Sequence, residues 1–295
     1  DEVAAVAAVD EATAEKAVGL IEVEYEQLPA VFDPAEAMED GAPLIHPENP
    51  RFARNINTRV DWHFGDVEQG FAEADIVKEQ RFVGNFVYQS PIEPHCSIAQ
   101  WDQKGEKITL WSATQVPHYL QNQLARVLEM PLARIRVIKP YVGGGFGGKA
   151  EAMALDFCSA YLSRKTGRPV KICLTREEVF YCHRGRHPTL MHVKTGFKKD
   201  GSMTGMHFKS LLDGGGYGSY GVASLFYTGA LQTVTYHVPT FRFEGCRVFT
   251  NKPPCGAMRG HGVPQPRFAF ESLLDMLAES IGMDPIDIRM VNAMD

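Results

Sequence analysis

Apolar and polar positions alternate along this chain in two rhythms, and the rhythm assigns the elements. Residues 3–9 are small and apolar and predict a strand; Asp10 then stands as an N-cap ahead of a helix from about Glu11 to Leu20. Ile21-Glu-Val-Glu-Tyr-Glu26 repeats every second residue, the signature of a half-exposed strand, so this β-α-β unit reads as the end of a small α/β domain. From Gln27 to about Thr58 the rhythm stops and Pro, Asp, Glu and Asn accumulate, which predicts a long surface linker. A second domain is expected from about Arg59. It opens with a short amphipathic helix over 65–74 and a strand over 76–87. A strand over 107–114 follows, then a helix over 119–128, a strand over 135–142 and a helix from about Glu151 to Arg164. Strands over 168–174, 191–197, 203–212 and 241–250 precede a loop over 251–266 and a closing helix over 268–281. No repeat of fixed period and no low-complexity tract interrupts this order.

Composition changes that picture little. The chain has 295 residues, enough for one large domain or two smaller ones, and its 44% hydrophobic and 22% charged content is that of an ordinary globular protein. A net charge of −6 argues against nucleic acid or an anionic membrane as the main partner, and no apolar run is long enough for a membrane span. The chain opens at Asp1 and stops at Asp295 just after a helical stretch, so a piece of a longer protein is expected. Its six cysteines form no CxxC and sit mostly in apolar surroundings, which predicts buried free thiols and a reducing cytoplasm. The clustered spacing that iron–sulfur ligation requires is missing.

The candidate chemistry centres on Arg136-Val-Ile-Lys-Pro-Tyr-Val-Gly-Gly-Gly-Phe-Gly-Gly-Lys-Ala-Glu151. Gly143, Gly144, Gly145, Gly147 and Gly148 let the backbone take positive φ and approach a ligand closely, and a helix N-terminus behind them suits an anion. Phe146 is a large ring with little local packing. The loop therefore suits something flat and polar, a cofactor carrying phosphate. Gly143-x-x-x-x-Gly148-Lys149 is most of a Walker A loop, but Ala150 stands where Ser or Thr must hold Mg²⁺. Gly143-x-Gly145-x-x-Gly148 matches a dinucleotide fingerprint, but Glu177 and Glu178 lie too far on for its ribose acid. A purely structural glycine turn also remains open. Two further loops, Gln89 to His95 and Cys255 to Gly262, carry polar or basic residues between Gly and Pro at strand ends, where sites assemble. His183 and His187 stand four apart, but Gly185 and the surrounding arginines disfavour the helix that a metal pair would need.

The combination of these loops resembles the large subunit of the molybdenum hydroxylases, the xanthine dehydrogenase and aldehyde oxidase family. The glycine loop is followed about 110 residues later by Arg259-Gly-His-Gly262, with Gln265 behind it. Pro91-x-Glu-x-His-Cys96, Thr114-Gln115 and Asp284-Pro-Ile-Asp-Ile-Arg-Met-Val-Asn292 complete five ordered motifs over nearly the whole chain. The resemblance implies an α+β fold. Residues 1–27 would be the C-terminal tail of an α/β hammerhead domain, 28–58 a linker, and 59–295 the first half of a molybdopterin-binding domain with mixed sheets and packed helices.

The same resemblance implies molybdopterin, with cytosine dinucleotide, carrying molybdenum through its dithiolene sulfurs and not through side chains. Gly144, Gly145, Phe146, Gly147 and Gly148 would lie against this cofactor, with Gln115 near the pterin and Arg259 and Gly260 supporting it. Gln89 would hydrogen-bond a molybdenum oxo group. On the residues alone, Gln89 also reads as an amide serving a turn, Gln115 as a strand-end polar residue, and Arg259 as a solvated or salt-bridged side chain. Purine-oxidising members carry a glutamate directly after the loop lysine; here that place is Ala150, with the acid at Glu151, and Tyr227 and His261 stand at other substrate positions. These departures weigh against xanthine. Arg-Gly-His-Gly, residues 175–181 and 183–188 make the chain most similar within the family to the α subunit of 4-hydroxybenzoyl-CoA reductases. That implies reductive removal of a phenolic hydroxyl, with Tyr227 and His261 as proton or hydrogen-bond donors; both also read as packed residues. Oxidative hydroxylation of an aldehyde, N-heterocycle or other aromatic is the alternative, and a nucleotide-binding or structural domain without metal chemistry the alternative of another class. Iron–sulfur and FAD subunits would complete a dimer of heterotrimers in the cytoplasm. The family's general-base glutamate has no counterpart before Asp295, so this piece alone is expected to be inactive.

Overall fold

The structure, a computed structural model, describes residues 2–182 and 184–294. In chain order come helix α1 (Glu11–Val18), strand β1 (Ile56–Phe64), helix α2 (Val67–Glu73) and strand β2 (Ile76–Gly84). Next are β3 (Cys96–Asp102), β4 (Lys107–Ser112), α3 (Pro117–Val127), β5 (Ile135–Ile138), α4 (Ala154–Thr166), β6 (Val170–Cys173) and α5 (Arg176–Cys182). Last are β7 (Thr189–Phe197), β8 (Met203–Asp213), α6 (Gly221–Ala230), β9 (Phe241–Val248), α7 (Pro264–Ile281) and α8 (Pro285–Asn292). They sort into two compact units: the chain up to Leu28 with the segment from Gln89, and Pro29–Tyr88 with the segment from Arg184 onward.

In the first unit four strands run in the order β5-β4-β3-β6, with β4 and β5 parallel and β3 antiparallel to both neighbours. Helix α3 makes the crossover between the parallel pair, and Pro117 opens it at a position where no N–H is needed. Leu120, Leu124 and Leu128 recur every fourth residue and bury against Ile108, Leu110 and Ile135. Each such leucine contributes about 2 kcal/mol by leaving water. Helix α4 starts at Ala154, three residues later than the sequence predicts, because the carboxylate of Asp156 turns back to accept the Met153 N–H at 3.1 Å. Asp10 caps α1 as expected, accepting the Thr13 N–H at 2.8 Å.

The strands expected over 3–9 and 21–26 are not formed. Val3, Ile21, Val23 and Tyr25 are exposed, and no described residue pairs with either segment. Alternation says which way side chains point; a strand also needs a backbone partner.

The second unit holds a five-stranded sheet in the order β1-β9-β8-β7-β2, antiparallel except between β8 and β9. One face carries Phe82, Met191, Val193, Met206, Phe208 and Phe243, in one core with Phe270, Leu273, Leu274 and Leu277 of α7. The opposite face is charged: Glu244 accepts from His207 at 2.5 Å, Lys209 at 3.2 Å and Arg242 at 3.2 Å. This one-sided alternation is what an antiparallel sheet with one wet face requires. Both sheets mix parallel and antiparallel pairs and carry helices, so the fold is α+β as expected.

The stretch read as a linker is packed structure from Pro29 on. Val31 and Ala37 bury with Val248, the buried Asn55 amide donates to the carbonyls of Ala37 and Pro43, and β1 already begins at Ile56. Irregular composition there records the lack of a repeating backbone, not the lack of a core. Helices α5 and α6 and strand β3 have no counterpart among the elements read from the sequence. In α6 the cause is its glycines: a Cβ at Gly229 would lie 2.3 Å from the Phe243 ring, and one at Gly221 would lie 1.8 Å from Arg247. They serve close packing against β9 at the expense of helix propensity. The thiols also correct an expectation, since only Cys255 is fully buried while Cys173 and Cys182 are exposed. Burial pushes the Cys255 thiol up to about 12.

Candidate cofactor-binding site

In the first unit the glycine loop leaves the end of β5 and is held by side chains from two other loops. The Glu93 carboxylate accepts the Gly143 N–H at 2.7 Å and the Lys149 ammonium at 2.6 Å, and the Glu93 carbonyl takes the same ammonium at 3.0 Å. The Gln115 side-chain oxygen accepts the N–H groups of Gly147 at 3.0 Å and Lys149 at 3.2 Å. The His95 ring reaches the Gly148 carbonyl at 3.2 Å. Inside the loop, Gly148 N–H donates to Gly145 and Ala150 N–H to Gly147.

Three consecutive N–H groups remain, those of Gly144, Gly145 and Phe146, with no acceptor among the described residues. Backbone φ is +93° at Gly144, +53° at Phe146 and +100° at Gly147. Successive N–H groups with left-handed residues interspersed form a concave nest for an anion or an electron-rich oxygen. Phe146 in the left-handed region is costly for a bulky residue, and such strain collects at ligand sites. Its ring is 47% exposed.

Two of the glycines also make room within the protein. A Cβ at Gly145 would lie 2.4 Å from the Gln115 oxygen, and one at Gly143 would lie 2.7 Å from the Glu93 Cβ. They admit the loop's own clamps. Lys149, 1% exposed, points into protein and not toward a phosphate, which removes the Walker reading. Burial raises the Glu93 carboxyl, but Lys149 and the Gly143 N–H more than offset it and hold the group below the usual carboxylate range. Burial keeps His95 below the usual imidazole range. Gln89 is buried and precedes Ser90, another residue at positive φ (+45°). The Gln115 Nε2, with no acceptor among the described residues, is the atom of that amide left to face a ligand.

The second unit brings Tyr227 and His261 together. The His261 ring stands edge-on to Tyr227 at 5.9 Å and to Tyr220 at 6.1 Å. Tyr220's backbone accepts from this ring, while Nε2 is buried without a partner among the described residues. Burial, then the nearby Arg186 cation, holds His261 below the usual imidazole range against the Tyr220 bond, so the neutral ring presents its Nε2 lone pair. The Arg259 side chain is exposed, and Arg186 grips the backbone beneath it through the carbonyls of Arg259 and Gly260. Gly260 and Gly262 take φ of +73° and +76°, and a Cβ at Gly262 would meet the Ser224 carbonyl at 2.4 Å.

Behind this loop lies Arg247, fully buried. Its guanidinium donates to the carbonyls of Gly214 and Tyr217 (both 2.9 Å) and Cys255 (3.3 Å), to Asn57 at 2.9 Å and to His187 Nε2 at 3.1 Å. Burial, then the nearby Arg247 and Arg186 cations, holds His187 well below the usual imidazole range. The Arg247 bond engages the His187 ring, and His183 lies outside the described residues. No three His, Cys, Asp or Glu side chains gather as a metal site among the described residues, and no helix is long and apolar enough to cross a membrane.

Sequence reasoning missed the clamps: Glu93, His95, Lys149, Arg186 and Arg247. The first two lay in the Pro91-x-Glu-x-His motif and were legible as polar residues near a glycine loop. Arg247 lies in a strand and carries no local signal.

These features define a class. The chain belongs to the molybdopterin cofactor-binding domain family, which matches residues 45–293, and with it to the molybdenum hydroxylase large subunits of the xanthine dehydrogenase and aldehyde oxidase type. It is similar to the nicotinate dehydrogenase large molybdopterin subunit of Eubacterium barkeri, 36% identical over 99% of this chain and 67% of that one. It is also similar to a putative xanthine dehydrogenase molybdenum-binding subunit of Escherichia coli, 35% identical over 99% of this chain and 38% of that one. Among solved structures, the aldehyde oxidoreductase of Desulfovibrio gigas superposes with a TM-score of 0.91 at 31% identity, covering 97% of this chain and 31% of that one. The chain thus spans between about a third and two thirds of the length of these relatives.

Proposed function

We propose that this chain is the molybdopterin-binding part of an enzyme that oxidatively hydroxylates a ring carbon of an N-heteroaromatic substrate. The observation that carries the reading is the run of free N–H groups at Gly144, Gly145 and Phe146 beside a strained, half-exposed phenyl ring. Donors of this kind suit the oxo and sulfido ligands and pyrophosphate of molybdopterin, and their fixed backbone can tune a redox centre through hydrogen bonds. When bound, the cofactor supplies two-electron redox chemistry and transfer of a water-derived oxygen. Overall, a ring C–H and one water become C–OH with release of two protons and two electrons.

The chain's own residues bind and orient. Phe146 covers one side of the centre, Gln89 and the Gln115 Nε2 donate hydrogen bonds, and Arg259 with Gly260 supports the pterin. Tyr227 and His261 would serve the substrate as hydrogen-bonding or proton-transfer groups. The names of the nicotinate and xanthine relatives favour the N-heteroaromatic class. A cytosine dinucleotide on the pterin, electron outlets through iron–sulfur and FAD subunits, a dimer of heterotrimers, a general-base glutamate from beyond this chain and a cytoplasmic location complete the reading. Residues 1–27 are assigned to the tail of a hammerhead domain and 59–295 to the first half of the molybdopterin-binding region.

A second reading, reductive dehydroxylation of 4-hydroxybenzoyl-CoA, draws on Arg-Gly-His-Gly and the edge-on Tyr227–His261 pair, two groups able to serve a phenolic oxygen. Metal and pterin analysis of the purified complete enzyme tests the class: molybdenum near one per chain supports it, and a metal-free active complex defeats it. Turnover of nicotinate-like heterocycles with an electron acceptor supports the first reading. Turnover of 4-hydroxybenzoyl-CoA alone, with a low-potential donor, replaces it with the second.

A further inference from the structure

Strands β3 and β6 set two thiols opposite one another: Cys96 is the register partner of Cys173. The next pair along the ladder is joined by a backbone bond from Leu174 N–H to the His95 carbonyl at 2.9 Å. In an antiparallel ladder hydrogen-bonded and non-bonded pairs alternate, so Cys96 and Cys173 occupy a non-bonded pair, whose Cα atoms approach to about 4.5 Å. That separation lies within the range a disulfide spans, toward its short end, where strain makes the bond easier to reduce. The pair also differs in access. Cys173 is exposed and Cys96 half-buried. Burial and the facing Cys173 push the Cys96 thiol up to about 11, so the exposed Cys173 is the thiol placed to react first.

We propose that Cys96 and Cys173 are a reversible dithiol–disulfide site that exchanges two electrons with a small disulfide such as oxidised glutathione. The Cys173 thiolate attacks one glutathione sulfur, forming a mixed disulfide and releasing one glutathione thiolate, which takes up a proton. Cys96 loses its proton and attacks the Cys173 sulfur, and the second glutathione thiolate leaves. The protein is oxidised by two electrons and the glutathione disulfide is reduced to two thiols. The bond fastens the edge strand β6 beside His95, whose ring holds the Gly148 carbonyl of the glycine loop. The inference stands on the ladder alone and is independent of the cofactor assignment.

The complete protein is equilibrated in glutathione buffers of graded redox potential, quenched with an alkylating agent and digested without reductant. The expected result is one linked peptide pair joining Cys96 to Cys173, about 2 Da lighter than the two free peptides, appearing with the slope of a two-electron couple. Cys173→Ser should abolish the pair and leave Cys96 fully alkylated, whereas Cys96→Ser should leave Cys173 trapped as a stable glutathione adduct. Full alkylation of both thiols at every potential, or a glutathione adduct at Cys173 in the unaltered protein without any cross-link, would overturn the proposal. Molybdenum content plays no part in the readout, so failure here and failure of the proposed function are separable.

Discussion

The two loops proposed to serve the cofactor are clamped with opposite chemistry. In the glycine loop the clamps are acceptors: Glu93 and Gln115 take up N–H groups and leave a run of donors free. In the loop from Cys255 to Gly262 the clamps are donors: Arg247 takes up the Cys255 carbonyl and Arg186 those of Arg259 and Gly260, while the His261 Nε2 is buried without a partner among the described residues. In each loop the clamps fix the backbone by pairing its polar groups, because a buried polar group left unpaired costs more than a typical bond contributes.

The largest effect on this comparison should come from Arg247→Ala. It strands the buried carbonyls of Gly214 and Cys255 and the part-buried one of Tyr217 and leaves a cavity, so a loss of about 4 kcal/mol is expected, read as a lowered denaturation midpoint. Next is Glu93→Gln, which leaves the Lys149 ammonium buried opposite a neutral amide. A loss of about 3 kcal/mol is expected, and Lys149→Met added to it should recover part of that loss. If the single and double variants match, the ion pair does not organise the loop.

An acid limb comes third. The folded pKa of His187 lies well below the usual value, so the unfolded chain binds a proton that the folded chain refuses. The contribution of the neutral ring is complete above the unfolded pKa of about 6.5 and declines as pH falls below it, by about 1.4 kcal/mol per pH unit until the folded pKa is reached. His187→Gln should flatten the stability profile between pH 6.5 and 5; an unchanged slope would assign the acid limb to other groups. Smallest is Phe146→Gly. Relief of its left-handed backbone should raise stability by about 1 kcal/mol while cofactor retention falls, a trade visible by thermal denaturation beside metal analysis.

Much of this arrangement was legible in the chain. The five glycines with Phe146, the helix over 119–128, the strands over 191–197 and 203–212 and the closing helix over 268–281 are read from local periodicity and turn chemistry, and the structure forms them as the glycine loop, α3, β7, β8 and α7. What escaped depends on partners distant in sequence. Residues 3–9 and 21–26 have strand-like patterns and no ladder. Residues 29–55 have linker-like composition and a core, and α6 spends two glycines on contact with Phe243 and Arg247. The site divides the same way. The loops that would face the cofactor were visible, while Lys149, Arg186 and Arg247, which set those loops, required the fold.

Molybdenum content in a Phe146→Asp variant of the complete enzyme tests the central claim most directly. The half-exposed ring would be replaced by a carboxylate beside the free N–H groups, competing with the oxygen and sulfur ligands for the same donors. The account predicts a folded protein, unchanged by circular dichroism, that retains little or no metal. A variant that keeps its full complement of molybdenum would contradict it.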